Sequence, residues 1–352
     1  MSVLFEPLKL GPYTLKNRII MAPLTRSRAV GEGRIPNDLM TKYYKQRSSA
    51  GMILTEATAV TPMGVGYAHT PGIWSKDQVN AWRKITDAVH AEGGVIFMQL
   101  WHVGRISDPM FLNGELPVAP SAIKPKGHVS LVRPLKEYVT PRALDLHEIK
   151  EVIEAYKVGA ANAKEAGFDG VELHAANGYL MDQFLQDSTN KRTDEYGGPI
   201  ENRARLLLEV TDALISVWGA DKVGVHLAPR RDSHDMGDST PAQTFGYVAE
   251  ELNKRQIAFI FTREYEGEDS LTPMIRQKFS GVLIANEKMT KESGEQVIAT
   301  KKADAVSFGR WFISNPDLPK RLLLNAPLNE LNPQTIYAAG EEGYTDYPFL
   351  PA

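Results

Sequence analysis

Eight short runs rich in Val, Ile or Phe recur along this chain, and most are followed by a longer stretch with helical periodicity. The runs are Arg18–Thr25, Gly51–Val60, Val95–His102, Gly170–Asn177, Lys222–Pro229, Ile257–Glu264, Gly281–Glu287 and Asp304–Arg310, each bounded by Gly, Pro or polar residues. Between them, Lys76–Glu92 repeats Val79, Trp82, Ile85, Thr86 and Val89 at three- and four-residue spacing. Glu148–Glu165, Asn202–Trp218 and Pro241–Arg255 follow the same pattern. Alternation of strand and helix predicts parallel strands, and eight such units predict closure into an α/β fold, the (β/α)8 TIM barrel. A doubly wound sheet is the alternative, but no Gly-x-Gly-x-x-Gly opens any of these helices. The 352 residues suit one large barrel, so a single domain over 1–352 is expected.

Two segments stand outside that repeat. Phe5–Lys16 carries Gly11-Pro12 as a turn between two extended pieces and reads as an N-terminal hairpin cap on the barrel. The connection from Val103 to about Leu144 is a long insertion after strand three. Loops of that length usually have a role, so it is expected to roof the active site.

Forty basic against forty-three acidic side chains, a formal charge of −3, argue against nucleic-acid or membrane binding by bulk charge. No apolar run reaches the length of a membrane span, and the first residues lack a basic stretch followed by an apolar one. The absence of Cys excludes disulfides, a Cys nucleophile, thiolate zinc sites and iron–sulfur clusters. With no Asn-x-Ser/Thr acceptor either, a cytoplasmic protein is the plain expectation.

In a barrel, functional side chains gather at the C-terminal ends of strands. Here those ends read Ala22-Pro23-Leu24-Thr25, Glu56-Ala57-Thr58, Gln99-Leu100-Trp101-His102, His174 to Tyr179, His226-Leu227-Ala228-Pro229 and Ser307-Phe308-Gly309-Arg310. Amides, hydroxyls, aromatics and imidazoles dominate this rim. Glu56 and Glu172 do not form an evident facing pair for glycoside hydrolysis. Phe308-Gly309-Arg310 suits a phosphate, because Gly admits close approach, a helix start offers N–H groups, and Arg adds charge. An Arg that merely caps the surface is the plainer alternative. His174 and Asn177 can both donate to one oxygen and polarise a carbonyl or nitro group, while Tyr179 stays protonated at neutral pH and can deliver a proton.

No metal is expected. His147-Glu148-Ile149-Lys150-Glu151 has Glu where a zinc motif needs its second His. Asp232, His234, Asp235 and Asp238 match no EF-hand spacing and read as a solvated polar loop.

Several of these segments resemble the old yellow enzymes. They are Asn17 to Arg26, Gln99 to His102, Gly167 to His174, Arg192 to Gly198 and Gly343 to Pro348, and the likeness runs from about Leu4 to Leu350. Within that family the chain looks most like the xenobiotic reductase B and pentaerythritol tetranitrate reductase type. The resemblance implies non-covalent FMN, NADPH or NADH as reductant, and reduction of activated alkenes, nitro compounds or nitrate esters. It implies that Pro23, Leu24, Thr25, Ala57 and Gln99 line the flavin and that Gly309 and Arg310 hold its phosphate. His174 and Asn177 would bind substrate oxygen and Tyr179 would be the proton donor, with Tyr67, Trp101 and Tyr344 as aromatic walls. Small electron-poor molecules are the implied partners, and a monomer or dimer is left open.

Two positions depart from the family pattern. His226 stands where many relatives carry Arg, so positive charge beside the flavin would depend on pH, or the imidazole would stay neutral and only donate a hydrogen bond. Arg230 shares its strand parity but begins roughly 13 Å further along. Ala285-Asn286-Glu287-Lys288 replaces a Gly-rich turn, which leaves the N–H groups of Asn286 and Glu287 for phosphate but sets a carboxylate beside it. A barrel lyase or isomerase acting on a phosphorylated metabolite is the competing function.

Overall fold

The computed structural model describes residues 2–230 and 233–351. Its centre is a closed parallel barrel of eight strands: β1 (Ile19–Met21), β2 (Met52–Leu54), β3 (Ile96–Trp101), β4 (Gly170–Ala175), β5 (Val223–Leu227), β6 (Phe259–Arg263), β7 (Val282–Asn286) and β8 (Ala305–Phe308). Each strand pairs with the next, and β8 returns to β1 through Phe308 opposite Met21. The strands are shorter than the apolar runs that announce them, and the second run divides into β2 and a two-residue piece at Thr58–Ala59.

The principal outer helices are α1 (Asp38–Gln46), α2 (Lys76–Ala91), α3 (Leu146–Glu165), α4 (Arg205–Trp218), α5 (Pro241–Lys254), α6 (Thr272–Lys278), α7 (Lys291–Ala299) and α8 (Leu318–Leu324). Ser75 and Gln78 form a capping box that starts α2, whose face of Val79, Trp82, Ile85, Thr86 and Val89 is buried against the barrel, as the spacing predicts. Among the described residues no helix is long and apolar enough to cross a membrane.

Alternation along the strands sorts the interior into layers. Ile96, Met98, Leu100, Val171, Leu173, Val225 and Leu227 face outward into the cluster shared with the helices. Phe97, Phe259, Phe261 and Ile284 face inward and fill the lower barrel. Gly224 makes room for that layer, since a Cβ there would lie 2.1 Å from the Phe259 ring. A hairpin of Leu8–Leu10 and Tyr13–Leu15 closes the N-terminal end, packing Leu8, Leu10 and Leu15 into the same inner cluster. Two residues above Phe97, Phe261 and the buried Gly170 come Gln99, Arg263 and Glu172, and the interior turns polar toward the C-terminal ends.

Candidate active site

A cavity of about 620 Å³ opens at that polar end. Ala22, Pro23, Leu24 and Thr25 follow β1 into it, and Ala57 lies beside them after β2. Gln99 and Trp101 come from β3, His174 from β4 and His226 from β5. Asn177 and Tyr179 line it from the turn after β4, and Asn286, Glu287, Gly309 and Arg310 from the turns after β7 and β8.

Register decides which of these groups touch. His226 is opposite His174 across β5 and β4, and their rings stack at 5.4 Å and 9°. On its other side His226 meets its β6 partner Phe261, with ring centroids 4.2 Å apart. Burial pushes His226 down to about 3, with the charge of Arg263 adding to it, so the imidazole is neutral at working pH. Of the two alternatives considered for this position, burial favours the neutral one, because an imidazolium enclosed by aromatic rings and another imidazole would lose most of its hydration. Arg230 does not substitute, because it lies beyond the end of β5 and pairs with Glu264 at 2.5 Å and with Asp269.

The cation that does enter this part of the cavity is Arg263, at the end of β6. Its Nη1 donates to Asn177 Oδ1 at 3.1 Å, and its Nε donates to Glu287 Oε2 at 2.8 Å. The first bond orients the Asn177 amide with its nitrogen as the remaining donor. The second draws toward Arg263 the carboxylate that looked out of place near a phosphate. Glu287 and Lys288 have φ of 96° and 54°, a left-handed turn that is costly for residues with a Cβ. Arg263 carried a visible signal, a charge at a strand's C-terminal end, but only the register reveals its partners.

Asn177 and Gly178 turn the chain with φ of 59° and 78°. His234 Nδ1 lies 2.7 Å from the Asn177 carbonyl and fastens that turn. The Ala176 N–H points at His174 Nδ1 at 3.4 Å, which leaves Nε2 as the protonated nitrogen of an imidazole that burial keeps neutral. Tyr179 crosses Trp101 edge-on at 4.9 Å and His174 at 5.0 Å. Burial raises its hydroxyl well above the usual phenol range, and Tyr67 shares a 2.7 Å hydrogen bond with it.

Tyr67 stacks on Trp101 and lines an annex of about 550 Å³ that also touches Thr25 and Tyr179. Val129, Ser130, Leu131 and Leu135 of the long insertion form the annex's outer wall, which places that insertion over the site. Tyr344 is not brought to either cavity. It is fully buried and stacked on Tyr43 at 4.1 Å, beneath the guanidinium groups of Arg26 and Arg28. Arg28 takes the carbonyls of Thr335 and Ile336 at 2.9 and 2.7 Å, and Arg26 that of Gly343 at 2.7 Å. These bonds pull the C-terminal segment inward, so that Tyr337 lines the cavity instead.

Gly309 precedes a helix of only five residues, Arg310–Ser314, and a Cβ at Gly309 would lie 3.1 Å from Leu24. The Arg310 guanidinium makes no hydrogen bond or ion pair among the described residues. Asp232 lies outside them, and no metal-binding cluster is found among them. Asp235 pairs with Lys126 at 3.1 Å and Asp238 with Arg203 at 2.7 Å. A flavin fits the remaining donor set. His226 Nε2, Ser307 Oγ and Trp101 Nε1 are buried without partners in residues that line the cavity, Pro23, Leu24 and Ala57 give it an apolar flank, and Arg310 stands at its edge as a cation.

Residues 3–329 match the model of the NADH:flavin oxidoreductase / NADH oxidase family. The chain is 42% identical to 12-oxophytodienoate reductase 2 of Arabidopsis thaliana, over 99% of this chain and 96% of the relative. It is also 42% identical to the "probable flavin mononucleotide-dependent alkene reductase" of Leishmania infantum, over 99% and 98%. Morphinone reductase in complex with tetrahydroNAD superposes with a TM-score of 0.94 at 46% identity, over 99% of this chain and 98% of that one. The old yellow enzyme homologue from Zymomonas mobilis gives 0.95 at 45%, over 99% of each. Fold and comparisons together define a flavin-dependent barrel oxidoreductase. The chain belongs to the NADH:flavin oxidoreductase family, the old yellow enzymes, whose relatives include alkene reductases.

Proposed function

We propose that this protein uses NADPH or NADH to reduce activated alkenes such as enones and maleimides, and also nitro compounds and nitrate esters in the manner of the xenobiotic reductases. FMN, bound without a covalent link, supplies the hydride once reduced. Pro23, Leu24, Thr25, Ala57, Gln99 and His226 would hold its ring system. Gly309 and Arg310 would hold its phosphate, with the backbone N–H groups of Asn286 and Glu287.

Above that layer, His174 Nε2 and the Asn177 amide nitrogen donate to the substrate's oxygen, drawing electron density from the carbon that receives hydride. Tyr179 then gives its hydroxyl proton to the neighbouring carbon, and Tyr67 and Trp101 confine flat substrates. The observation that carries this reading is the convergence of His174, Asn177 and Tyr179 on one cavity. The names of the relatives, reductases of alkenes, 12-oxophytodienoate and morphinone, support the alkene part of it. We assign the activity to a single domain, in the cytoplasm, as a monomer or dimer.

The test is spectroscopic and then chemical. Purified protein should absorb at about 450 nm, bleach anaerobically with NADPH or NADH, and recover its colour with cyclohexenone. A colourless protein that also fails to take up added FMN would refute the reading. A nitrate ester and a nitroaromatic, tested separately, decide the second substrate class.

A further inference from the structure

At the floor of the cavity lies a polar cluster whose buried member, Glu172, the proposed reaction leaves unused. Glu172 on β4 has no solvent exposure and is opposite Gln99 on β3. Gln99 Nε2 lies 2.7 Å from Glu172 Oε2 and 3.1 Å from His226 Nδ1. Glu172 Oε2 and His226 Nδ1 are themselves 3.7 Å apart. Gln99 and His226 both line the cavity, and His226 Nε2 has no partner within the protein.

One end of the Gln99 amide thus approaches both other groups, and this links their hydrogen-bonding states. An amide has a donor end and an acceptor end of nearly equal shape, and a neutral imidazole has two tautomers. An ionised Glu172 only accepts, so it holds the NH2 end of Gln99. The second N–H of that group then donates to His226 Nδ1, and His226 carries its hydrogen on Nε2. In this state the cavity meets a carbonyl from Gln99 and an N–H from His226. A protonated Glu172 donates instead, to the carbonyl of a turned amide. That carbonyl also accepts from His226 Nδ1–H, and the cavity meets the amide N–H groups and a bare Nε2.

We propose that Glu172 is a positioning residue whose proton sets the hydrogen-bond polarity of the cavity floor through Gln99 and His226. The proton is exchanged with solvent. Within the cluster His226 loses a hydrogen at one nitrogen and gains one at the other, so its charge does not change. Burial raises the Glu172 carboxyl to about 8, against the opposing effect of the Gln99 bond, which brings the change within reach of ordinary buffers. The other groups acting on His226 are His174, stacked on it from β4, and the Phe261 ring and Arg263 charge from β6. His234 and Arg263 act on His174 in turn. Burial and the Arg263 charge favour a neutral His226, and only an ionised Glu172, 3.7 Å from its Nδ1, acts the other way. A ring edge that carries both C=O and N–H groups reads the polarity directly. The consequence for FMN therefore rests on the proposed function, whereas the tautomer change does not.

Nitrogen-15 spectra of histidine-labelled, FMN-loaded protein between pH 6 and 9.5 test the idea. In the parent, the hydrogen of neutral His226 should pass from Nδ1 to Nε2 with a midpoint near 8, the value to which burial brings Glu172. Glu172→Gln, which cannot titrate, should hold one tautomer throughout. Gln99→Met, which cuts the link, should abolish the pH course while Glu172 remains. The proposal is overturned if parent His226 keeps one tautomer across the range, or if either variant follows the parental course. The visible spectrum reports separately whether flavin is bound, so failure of the functional reading is distinguishable from failure of this one.

Discussion

The hydroxyls of Tyr67 and Tyr179 lie 2.7 Å apart, joining a residue before α2 to one in the turn after β4. Either oxygen can donate, and burial keeps both phenols protonated far into alkaline pH. Tyr67 thereby becomes more than an aromatic wall: it orients the O–H that the proposed reaction uses.

Tyr179→Phe should slow reoxidation of the reduced enzyme by cyclohexenone by about 10²–10⁴-fold, the usual worth of a placed acid. Tyr67→Phe should cost less, roughly tenfold, because Tyr179 keeps its proton but loses its orientation. Anaerobic stopped-flow measurement separates these steps from reduction by NADPH. Quinones and nitro compounds need no proton at carbon, so they should respond weakly. Equal losses with every oxidant would leave Tyr179 a structural role only.

His174→Ala and Asn177→Ala each remove one donor to the substrate oxygen and should cost about 2.7–4 kcal/mol, or 10²–10³ in the enone step. Arg263→Met leaves both donors in place but releases the Asn177 amide that Arg263 orients. A smaller loss, on the order of tenfold, is expected there. Titration with a phenol, which binds without reacting, should rank the three variants in the same order. Parental phenol affinity in Arg263→Met would show that Asn177 needs no such anchor.

Buried groups also set how stability responds to pH. His226 and His102 are depressed to about 3 in the folded protein, so below pH 6.5 the unfolded chain binds protons that the native one refuses. Their contribution is present above pH 6.5 and is lost as pH falls toward 3, by about 2 kcal/mol per histidine at pH 5. Glu172 runs the other way. Raised to about 8, it binds its proton more tightly when folded, so its contribution is full below 4.5 and is lost as pH rises to 8. Against the parent, His226→Gln should gain Tm at pH 5 relative to pH 7, and Glu172→Gln should gain it at pH 8.5 relative to pH 5. Thermal unfolding curves parallel to the parent at all three pH values would contradict both assignments.

Gly224→Ala probes the lower barrel. Its added methyl would meet Phe259 at 2.1 Å inside a closed ring of strands that cannot easily part. Overpacking of this kind usually costs about 1–3 kcal/mol. A Tm fall of several degrees should follow, with the visible flavin spectrum of the surviving native protein unchanged. An unaltered Tm would mean that the Phe layer is looser than the structure indicates.

Much of this architecture was legible from local periodicity alone. Short runs rich in Val, Ile or Phe, bounded by Gly, Pro or polar residues, marked the strands, helical spacing marked α2 to α5, and together they placed Gln99, Trp101, His174 and Gly309 at the cavity end of the barrel. Such patterns are short-range consequences of backbone geometry, so a single chain displays them. The pairing of Arg263 with Asn177 spans 86 residues and that of Tyr67 with Tyr179 spans 112. Only barrel closure and strand register bring such groups within 3 Å or so, and no spacing in the sequence encodes that. Tyr344 and Tyr337 show the same division. Both are aromatic residues near the C-terminal end, but the carbonyls captured by Arg26 and Arg28 decide which one is buried and which one reaches the cavity. The sequence names a histidine at position 226. Its neutrality comes from the rings and neighbouring groups that surround it once the strands are side by side, because desolvation is a property of the assembled environment and not of the residue.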